Sequence, residues 1–279
     1  MTRRLVVALV FLALFVTPPA RAAAPEEMAA FLLKAEAAGA KWPVLSLEFG
    51  PLDLKAAYAV QRAYVAKKAA GDPIAGYKAG LTTPGAQQRF GVKEAVVGAL
   101  WSSGRFSGAP RIAAAKRWRA MAIETEVGYV LKEAITARPA SVEELKGKIG
   151  AVMPAIELPD LGFADMSKLG GPDIVAANVS AVGFIVGPQR PCCQGLDPNA
   201  VKVRLSRDGQ ELSTGLGAEA LGDQWRALLW LVGAALDMGY QLKPGHLLIT
   251  GALGKVVPGQ PGDYTADYGD FGQIQFTIE

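Results

Sequence analysis

The segments Ile123-Glu124-Thr125-Glu126-Val127 and Met153-Pro154-Ala155-Ile156-Glu157-Leu158 decide how this chain is interpreted. If the first is a strand, Glu124 and Glu126 share one face, about 7 Å apart along the chain. Glu157 lies in an apolar run, where burying an ionised carboxylate is costly unless it is paired or bound to a cation. The three carboxylates therefore predict a site for a hard divalent cation, and oxygen ligands favour Mg²⁺ or Mn²⁺ over zinc.

A competing interpretation places Glu124 and Glu126 on the solvent face of a strand, where alternating glutamates need no ligand. The spacing of the glutamates alone does not separate the two interpretations, so the rest of the sequence is needed to choose between them. The only histidine, His246, stands in a turn before the apolar residues 247–250, and no G-x-S-x-G motif accompanies it. Acid–base chemistry therefore falls to Lys, Glu, Asp, Tyr or water.

The N-terminus has the three parts of a secretory signal peptide. Residues 1–4 are basic, residues 5–16 are apolar, and Ala20-Arg21-Ala22 is a small-x-small cleavage site. The apolar stretch is shorter than the ~20 residues of a membrane span, and an uncleaved anchor is the alternative. We expect cleavage after Ala22, with Ala24 as the second choice, and export of the mature protein to the periplasm.

Removing residues 1–22 changes the charge balance. The sequence has 29 basic and 26 acidic residues, and the loss of Arg3, Arg4 and Arg21 lowers the basic count to the acidic one. A neutral chain without a basic stripe gives no sign of binding to nucleic acid, and no membrane association is expected after cleavage. The sequence is 51% hydrophobic, which is enough for one large core or two smaller ones.

The two cysteines, Cys192 and Cys193, are neighbours in a loop flanked by proline. Adjacent cysteines seldom pair with each other, because an ordinary trans peptide does not hold them in disulfide geometry. We expect a tolerated loop pair, and a bridge between protomers in an oxidising compartment is the alternative. Without C-x-x-C spacing they indicate neither a thioredoxin-like site nor a zinc ribbon.

The hydrophobic pattern divides the mature chain into two parts. Ala, Leu, Lys and Glu dominate residues 25–38 and 53–70, which predicts an N-terminal helical portion over residues 23–74. Short apolar runs between Gly and Pro predict a β-rich core over residues 75–279. The predicted strands are residues 76–81, 122–131, 152–158, 175–186, 201–206, 247–250 and 273–278. The predicted helices within the core follow the capping box at residues 141–144 and cover residues 222–238.

Five motifs occur in order and span nearly the whole mature chain. They are Gly76-Tyr77-Lys78-Ala79-Gly80-Leu81-Thr82-Thr83, Ile123-Glu124-Thr125-Glu126, Pro154-Ala155-Ile156-Glu157, Asn178-Val179-Ser180, and Leu248-Ile249-Thr250-Gly251-Ala252-Leu253-Gly254 with Val257-Pro258 and Pro261-Gly262-Asp263 after it. As a set they resemble the 2-keto-4-pentenoate hydratase family of the fumarylacetoacetate hydrolase superfamily. The resemblance implies an α+β fold, with a mixed β-roll core of the fumarylacetoacetate hydrolase C-terminal type and an N-terminal helical portion. It also implies that the core is catalytic and that the protein is a homo-oligomer.

The same resemblance implies a site for a small 2-oxo acid. Glu124, Glu126 and Glu157 match the family's ligands for Mg²⁺ or Mn²⁺, and Lys78 matches its active-site lysine. A 2-oxo acid offers a carboxylate and a keto oxygen to such a metal, which would stabilise enolate charge where it forms. The expected substrate contacts, for which local turn or strand-end roles are the alternative, are Asn178, Ser180, Thr250 and Gly251.

Three departures from the family pattern concern the reaction. Val96 stands where family members carry an Asp, Asp223-Gln224 replaces a His-Pro, and Ala177 replaces an Asp before Asn178. The leading hypothesis is a metal-dependent hydro-lyase that enolises a 2-hydroxypenta-2,4-dienoate-like substrate and adds water. A decarboxylase similar to 4-oxalocrotonate decarboxylase is the second. A non-catalytic exported binding protein that keeps the metal and 2-oxo acid pocket is the third, which Val96 favours.

Overall fold

The computed structural model describes residues 23–192 and 195–279. The predicted signal peptide, residues 1–22, lies outside the described residues. Within them, the helices are α1 (Pro25–Ala37), α2 (Leu45–Glu48), α3 (Leu54–Ala69), α4 (Pro84–Phe90), α5 (Val142–Lys148), α6 (Gly171–Ala176) and α7 (Gln224–Asp237). The strands are β1 (Ile74–Gly80), β2 (Val96–Trp101), β3 (Arg105–Ser107), β4 (Arg111–Ile112), β5 (Ala122–Leu131), β6 (Ile149–Leu158), β7 (Gly183–Val186), β8 (Arg190–Pro191), β9 (Lys202–Arg207), β10 (Gln210–Leu216), β11 (Leu247–Ile249), β12 (Leu253–Pro258), β13 (Gly262–Asp267) and β14 (Gln273–Ile278).

The N-terminal helices form where the sequence predicts them. Helix α1 begins with Pro25 and has two glutamates in its first turn, both of which favour a helix start. The Asp53 side chain caps α3 by accepting a hydrogen bond from the Ala56 amide (2.8 Å). Buried apolar residues of α1 and α3 belong to the same hydrophobic cluster as those of the strands. The helical portion therefore packs against the β-rich core.

The larger sheet carries both glutamate motifs at its centre. Its strand order is β2-β1-β11-β5-β6-β7-β3, with β12 also beside β5 and β8 beside β6. Strands β5 and β6 pair antiparallel over most of their length, with Glu124 opposite Glu157. Strand β11 lies between β1 and β5 and ends at Ile249, after which the chain continues along β5 as β12. The sheet therefore opens between β1 and β5, next to the glutamates.

The smaller sheet has the order β10-β9-β13-β14-β4 and packs against the first. Tyr268, between β13 and β14, joins the two: its hydroxyl donates to the Ala155 carbonyl (2.7 Å) and accepts from the Glu126 amide (3.2 Å). Both sheets combine parallel and antiparallel pairs. These mixed sheets with their helices confirm the predicted α+β fold.

Several local predictions need correction. Residues 175–186 are not one strand, because the chain there ends α6, makes a left-handed turn at Asn178, Val179 and Ser180, and only then enters β7. This segment is buried throughout, and a buried apolar run has the same sequence pattern in a short helix as in a strand. The patterns also miss helix α4 and strand β2. The helices predicted after Ser141 and over residues 222–238 are confirmed as α5 and α7.

Two findings concern the loop and membrane predictions. Cys192 is disulfide-bonded, which corrects the expectation of an unbridged loop pair. Among residues 23–192 and 195–279, no helix combines the length and the apolar character needed to cross a membrane.

Candidate metal centre

The pairing of β5 with β6 brings three carboxylates together. Glu124 and Glu157 occupy directly opposite positions, and Glu126 follows two residues along β5 on the same face. One carboxylate oxygen from each lies within 4.8 Å of the others. Glu126 and Glu157 are fully buried and Glu124 is half-buried. The predicted trio is thus assembled in the structure, and it does not lie on a solvent face.

Lys78 reaches the trio from β1, across the opening at the end of β11. Its ammonium Nζ donates to both oxygens of Glu157 (2.6 and 2.7 Å) and to the Val179 carbonyl (3.1 Å). Burial alone would lower the pKa of Lys78, but Glu157, Glu124 and Glu126 together raise it above the usual value. The side chain is therefore held as a cation although only 3% of it is exposed.

The Glu126 carboxylate is only partly satisfied by the protein. One oxygen accepts a hydrogen bond from the Gly251 amide (2.7 Å), whereas the other, Oε1, is buried without a partner. Burial, with Glu157 and Glu124 nearby, raises the pKa of Glu126 well above the usual value. Burial likewise raises the pKa of Glu157 to about 7, against the opposing effect of Lys78. Without a further cation, the site therefore holds protons.

The donor set fits a divalent cation. Three ionised carboxylates and the Lys78 ammonium leave two negative charges, which one divalent ion would balance. The unpaired oxygen of Glu126 is an acceptor without a donor, and such a buried group requires explanation. All the candidate ligands are oxygen atoms, which suits a hard cation better than zinc. Glu124, Glu126 and Glu157 are the residues that would hold it.

A left-handed turn fixes the carbonyl that contacts Lys78. Asn178, Val179 and Ser180 all have positive φ angles, of 52°, 52° and 59°, a conformation that costs roughly 1–3 kcal/mol for each non-glycine residue. The Asn178 side chain holds the turn on β2, where it accepts from the Ala99 amide (2.8 Å) and donates to the Ala99 carbonyl (2.9 Å). Both of its polar atoms are thereby used, so Asn178 positions the turn.

The other predicted substrate contacts have different places. Ser180 lines the cavity beside the trio, and its buried hydroxyl has no hydrogen-bond partner. The Thr250 hydroxyl donates to the Gln224 side chain (2.6 Å), and the Gly251 amide holds Glu126. Gly251 has a φ of 114°, and an added Cβ would lie 2.5 Å from Thr82, so only glycine fits there. Thr250 and Gly251 thus make hydrogen bonds within the protein, and substrate contact by each of the four predicted residues stays a prediction.

A cavity of about 380 Å³ opens above the carboxylates. Lys78, Glu124 and Ser180 line it near the trio. Helix α4, which the sequence analysis did not place, supplies one wall. The other walls come from residues after β6 and from the segment around β12. This cavity is where a small ligand would meet the trio.

Val96, the residue in place of the family's Asp, also lies close to Lys78. It pairs with Gly80 across β1 and β2 and is 1% exposed. A Cβ added to Gly80 would meet Val179 at 2.5 Å, Val96 at 3.5 Å and the Lys78 chain at 3.7 Å. Val96 therefore places an apolar side chain beside Gly80, two residues along β1 from Lys78.

Two supporting residues were outside the predicted set. Tyr268 holds the Glu126 amide, as described above, and Gln224 accepts hydrogen bonds from Thr250 and from the Tyr129 hydroxyl (3.0 Å). Both are buried. Gln224 stands directly after the cap of a long helix, and a polar residue at an apolar helix start is a signal that sequence analysis can use. Tyr268 gives no comparable signal, because its partners lie more than a hundred residues away in the sequence.

Comparisons with known proteins agree with the geometry. No family model matches the chain. It is 32% identical over 239 residues to 2-keto-4-pentenoate hydratase of Paraburkholderia xenovorans, covering 85% of this chain and 88% of the relative. A Burkholderia vietnamiensis protein of the same name is 31% identical over 253 residues, covering 90% and 96%. The 4-oxalocrotonate decarboxylase of Pseudomonas putida G7, solved with magnesium and adipate, superimposes with a TM-score of 0.84 at 23% identity, covering 91% of this chain and 97% of that one.

The fold is that of the fumarylacetoacetate hydrolase superfamily, with the carboxylate trio on the paired central strands. At more than 30% identity over most of both sequences, the chain belongs to the 2-keto-4-pentenoate hydratase family.

Proposed function

We propose that this protein is a metal-dependent hydro-lyase that adds water to a small 2-hydroxy-2,4-dienoate, the enol form of a 2-oxo acid. The observation that carries the proposal is the buried trio of Glu124, Glu126 and Glu157, with Lys78 bonded to one of its members at the bottom of a cavity. Relatives of similar length are named for this activity. Mg²⁺ is the expected ion, and Mn²⁺ is the alternative with the same ligand preference.

The groups that face the cavity suit proton transfer. Hydration first moves the enol O–H proton to C5, which gives a 2-oxo-3-enoate. Water then adds its hydroxyl at C4 and its proton at C3. Bound to the trio, the ion would polarise the 2-oxo group and stabilise negative charge on its oxygen. The Lys78 ammonium and the Glu124 carboxylate line the cavity, so they are the groups placed to exchange protons with the carbon chain. The Lys78 ammonium also orients the substrate carboxylate by pairing with it.

Two other activities are compatible with the same site. Decarboxylation needs the same metal-bound 2-oxo acid but breaks a different bond. The resemblance expects an Asp where Val96 stands, so an acid that could serve hydration is missing there. Loss of that acid also favours a binding protein without turnover. The buried Lys78–Glu157 pair speaks against this last function, because burying two charges is costly and pairing only partly offsets the cost.

One assay separates the three functions. Purified protein is incubated with Mg²⁺ or Mn²⁺ and 2-hydroxypenta-2,4-dienoate, and the loss of dienol absorbance is followed together with formation of 4-hydroxy-2-oxopentanoate. The same protein is given 4-oxalocrotonate, and CO₂ is measured. Hydration that is lost with EDTA and in Lys78→Met supports the proposal. CO₂ release alone points to the decarboxylase, and tight binding without either product points to the binding protein.

We also propose that the protein is exported to the periplasm after cleavage at Ala22. Residues 1–22 carry the pattern of a signal peptide, and α1 begins only at Pro25, so cleavage after Ala22 or Ala24 leaves every described element intact. Mass spectrometry of the full-length product from a bacterial periplasm should find an N-terminus at Ala23 or Pro25. A product that starts at Met1 and stays with the membrane would identify an uncleaved anchor.

A homo-oligomer remains part of the proposal. Phe31 and Leu47 expose 37% and 58% of their surface on the N-terminal helical portion, and such side chains are used where copies of a chain meet. Light scattering of the mature protein should give a mass that is a multiple of the single chain. A monomer at all concentrations would contradict it.

A further inference from the structure

The cavity above the trio is larger than the head group of the proposed substrate requires. Its volume of about 380 Å³ falls within the range of sites that bind drug-sized ligands. The dienoate named above has only eight non-hydrogen atoms. Substrate that reaches the carboxylates would therefore leave the outer part of the cavity for a further group.

The outer part of the cavity is lined mainly by apolar side chains. Phe90, Leu161 and Leu169 form part of its wall. Met166 and Val256 lie at its rim with 43% and 47% of their surfaces exposed, and they belong to the small set of large apolar side chains that the described residues expose to this degree. Exposed apolar groups beside a cavity indicate contact with an apolar ligand.

Charged groups are sparse in the outer part. Among the described lining residues, Lys78 and Arg89 are the cations, and Lys78 lies beside the trio at the inner end of the cavity. Arg89 is exposed, and its guanidinium lies 5.1 Å from the centre of the Phe90 ring. A carboxylate at the far end of a substrate would have to lose water among apolar side chains to stay in the cavity, and such burial is unfavourable.

We infer that the natural substrate carries an uncharged apolar group beyond its conjugated 2-oxo acid, held by Phe90, Leu161, Met166, Leu169 and Val256. This inference rests on the proposed function, because the head group must bind at the trio for its tail to reach these side chains. It selects 2-oxo acids with an alkyl or aryl tail over the unsubstituted dienoate and over dioates.

Binding of non-reacting 2-oxo acids tests the inference without turnover. Calorimetry with Mg²⁺ compares 2-oxopentanoate, 2-oxooctanoate and 2-oxoheptanedioate. Each buried methylene should add about fourfold in affinity, so burial of two of the three extra methylenes makes 2-oxooctanoate roughly 15-fold tighter than 2-oxopentanoate. The dioate should bind at least about tenfold more weakly than 2-oxooctanoate. A dioate that binds as tightly as 2-oxooctanoate, or equal affinity for all three, overturns the inference.

Matched variants locate the effect. Met166→Gln keeps the chain length and adds polarity, and Leu216→Gln makes a similar change on β10, at a side chain that is 44% exposed. The Met166 variant should lose about threefold or more for 2-oxooctanoate, with less than a twofold change for 2-oxopentanoate. The Leu216 variant should change neither. A dioate affinity that falls tenfold in Arg89→Gln would instead identify Arg89 as the partner of a distal carboxylate and overturn the inference.

The outcomes distinguish this inference from the proposed function. If none of the three acids binds in the presence of Mg²⁺, the proposed site for 2-oxo acids is wrong. If all bind equally, only the apolar tail is wrong. If 2-oxooctanoate is preferred but no dienoate is hydrated, the inferred specificity is supported and the proposed hydratase activity is wrong.

Discussion

Glu126 is the residue on which the metal proposal depends most. One of its oxygens is held by the Gly251 amide, and the other is buried and unpaired. Two further acidic groups lie close to it, Glu124 on the same strand and Glu157 on the facing strand. Lys78 is bonded to Glu157 alone among the three. Without a cation this position is electrostatically unfavourable, so a change that removes its charge should affect metal binding and stability in opposite directions.

Glu126→Gln should lower the affinity for Mg²⁺ and Mn²⁺ by roughly 100-fold, because it replaces an anionic ligand with a neutral one of the same shape. The metal-free protein should be as stable as the wild type or more so, since a buried like-charge contact is removed. Calorimetric titration and thermal melting in EDTA measure the two effects. Glu143→Gln, at a side chain that is 80% exposed, is the control. Unchanged metal affinity would rule out the site.

The stability of the metal-free protein should fall as pH rises through the range in which Glu157 titrates. Its pKa is raised by burial from 4.5 to about 7, so between these values the folded protein binds more protons than the unfolded chain. Stability then decreases with pH, by about 3 kcal/mol from Glu157. The raised pKa of Glu126 adds a fall in the same direction. The pKa of Lys78 is also raised in the folded protein. The stability that this shift contributes is constant between about pH 4.5 and about pH 7, because it decreases only when the pH exceeds the usual pKa of lysine.

Mg²⁺ should reverse this pH dependence, because the ion replaces protons on the carboxylates. Thermal melting in EDTA from about pH 5 to about pH 8 should show a falling midpoint, and the stabilisation by Mg²⁺ should increase over the same range. Glu157→Gln should flatten the fall in EDTA. A midpoint in EDTA that rises with pH would contradict the assigned direction.

Sequence alone predicted which three carboxylates meet, but not the contacts of the residues around them. Alternation in β5 and the apolar setting of Glu157 were enough to predict the trio, because both depend on local pattern. The tasks of Asn178, Thr250 and Gly251 depend on their partners Ala99, Gln224 and Glu126, which lie far away in the sequence. A polar residue near a site has the same sequence pattern whether its side chain contacts the ligand or bonds to a neighbouring residue.

At the level of elements, the left-handed turn between α6 and β7 is the least expected feature. The residues of the turn are not glycine, so the conformation is held by its surroundings and not by preference. Asn178 bonds the turn to β2 through Ala99, and in return the Val179 carbonyl meets the Lys78 ammonium. Backbone strain of this kind clusters at functional sites, and here it lies against a buried lysine bonded to the carboxylate cluster.

Asn178→Ala should destabilise the protein by about 2–4 kcal/mol, because both Ala99 groups lose a buried partner and the turn loses its attachment. Activity in the remaining folded protein should fall mainly in kcat, since Lys78 loses its orientation while the trio still holds the head group. Urea unfolding and steady-state kinetics measure the two effects.

Ser180→Ala is the contrasting change in the same turn. It removes a buried hydroxyl that has no partner, so stability should be unchanged or rise by about 1 kcal/mol. If the hydroxyl contacts substrate, KM rises while kcat changes less. A stability loss equal to that of Asn178→Ala would show that the turn is held by the segment as a whole and not by the Asn178 amide.

For the whole molecule, the sequence predicted which parts are helical and which are β-rich, but not how they are joined. Residues 25–38 and 53–70 show helical composition, and strands such as β5 and β14 have clear patterns. The pairing of β1 with β11, separated by more than 160 residues, has no local signature. Nor do the polar contacts that join α3 to the core, several of which are made by the buried side chain of Gln61.

Gln61 joins the N-terminal helices to three other elements. Its amide nitrogen donates to the carbonyls of Val97 (2.8 Å) and Val175 (3.0 Å), and its oxygen accepts from the Tyr240 hydroxyl (2.7 Å). The side chain is fully buried. Because one residue satisfies groups from β2, α6 and the segment after α7, we expect the helical portion and the β-rich core to unfold as one unit.

Gln61→Ala should therefore lower the free energy of unfolding by roughly 3–5 kcal/mol, since three buried polar groups lose their partner at once. Gln88→Ala, on the exposed side of α4, should change it by less than about 0.5 kcal/mol. Urea unfolding followed by far-ultraviolet circular dichroism and by tryptophan fluorescence should give coincident curves for the wild type. If the helical signal is instead lost at lower urea than the fluorescence signal, residues 23–74 form a separate unit, and the Gln61 contacts are peripheral to the stability of the core.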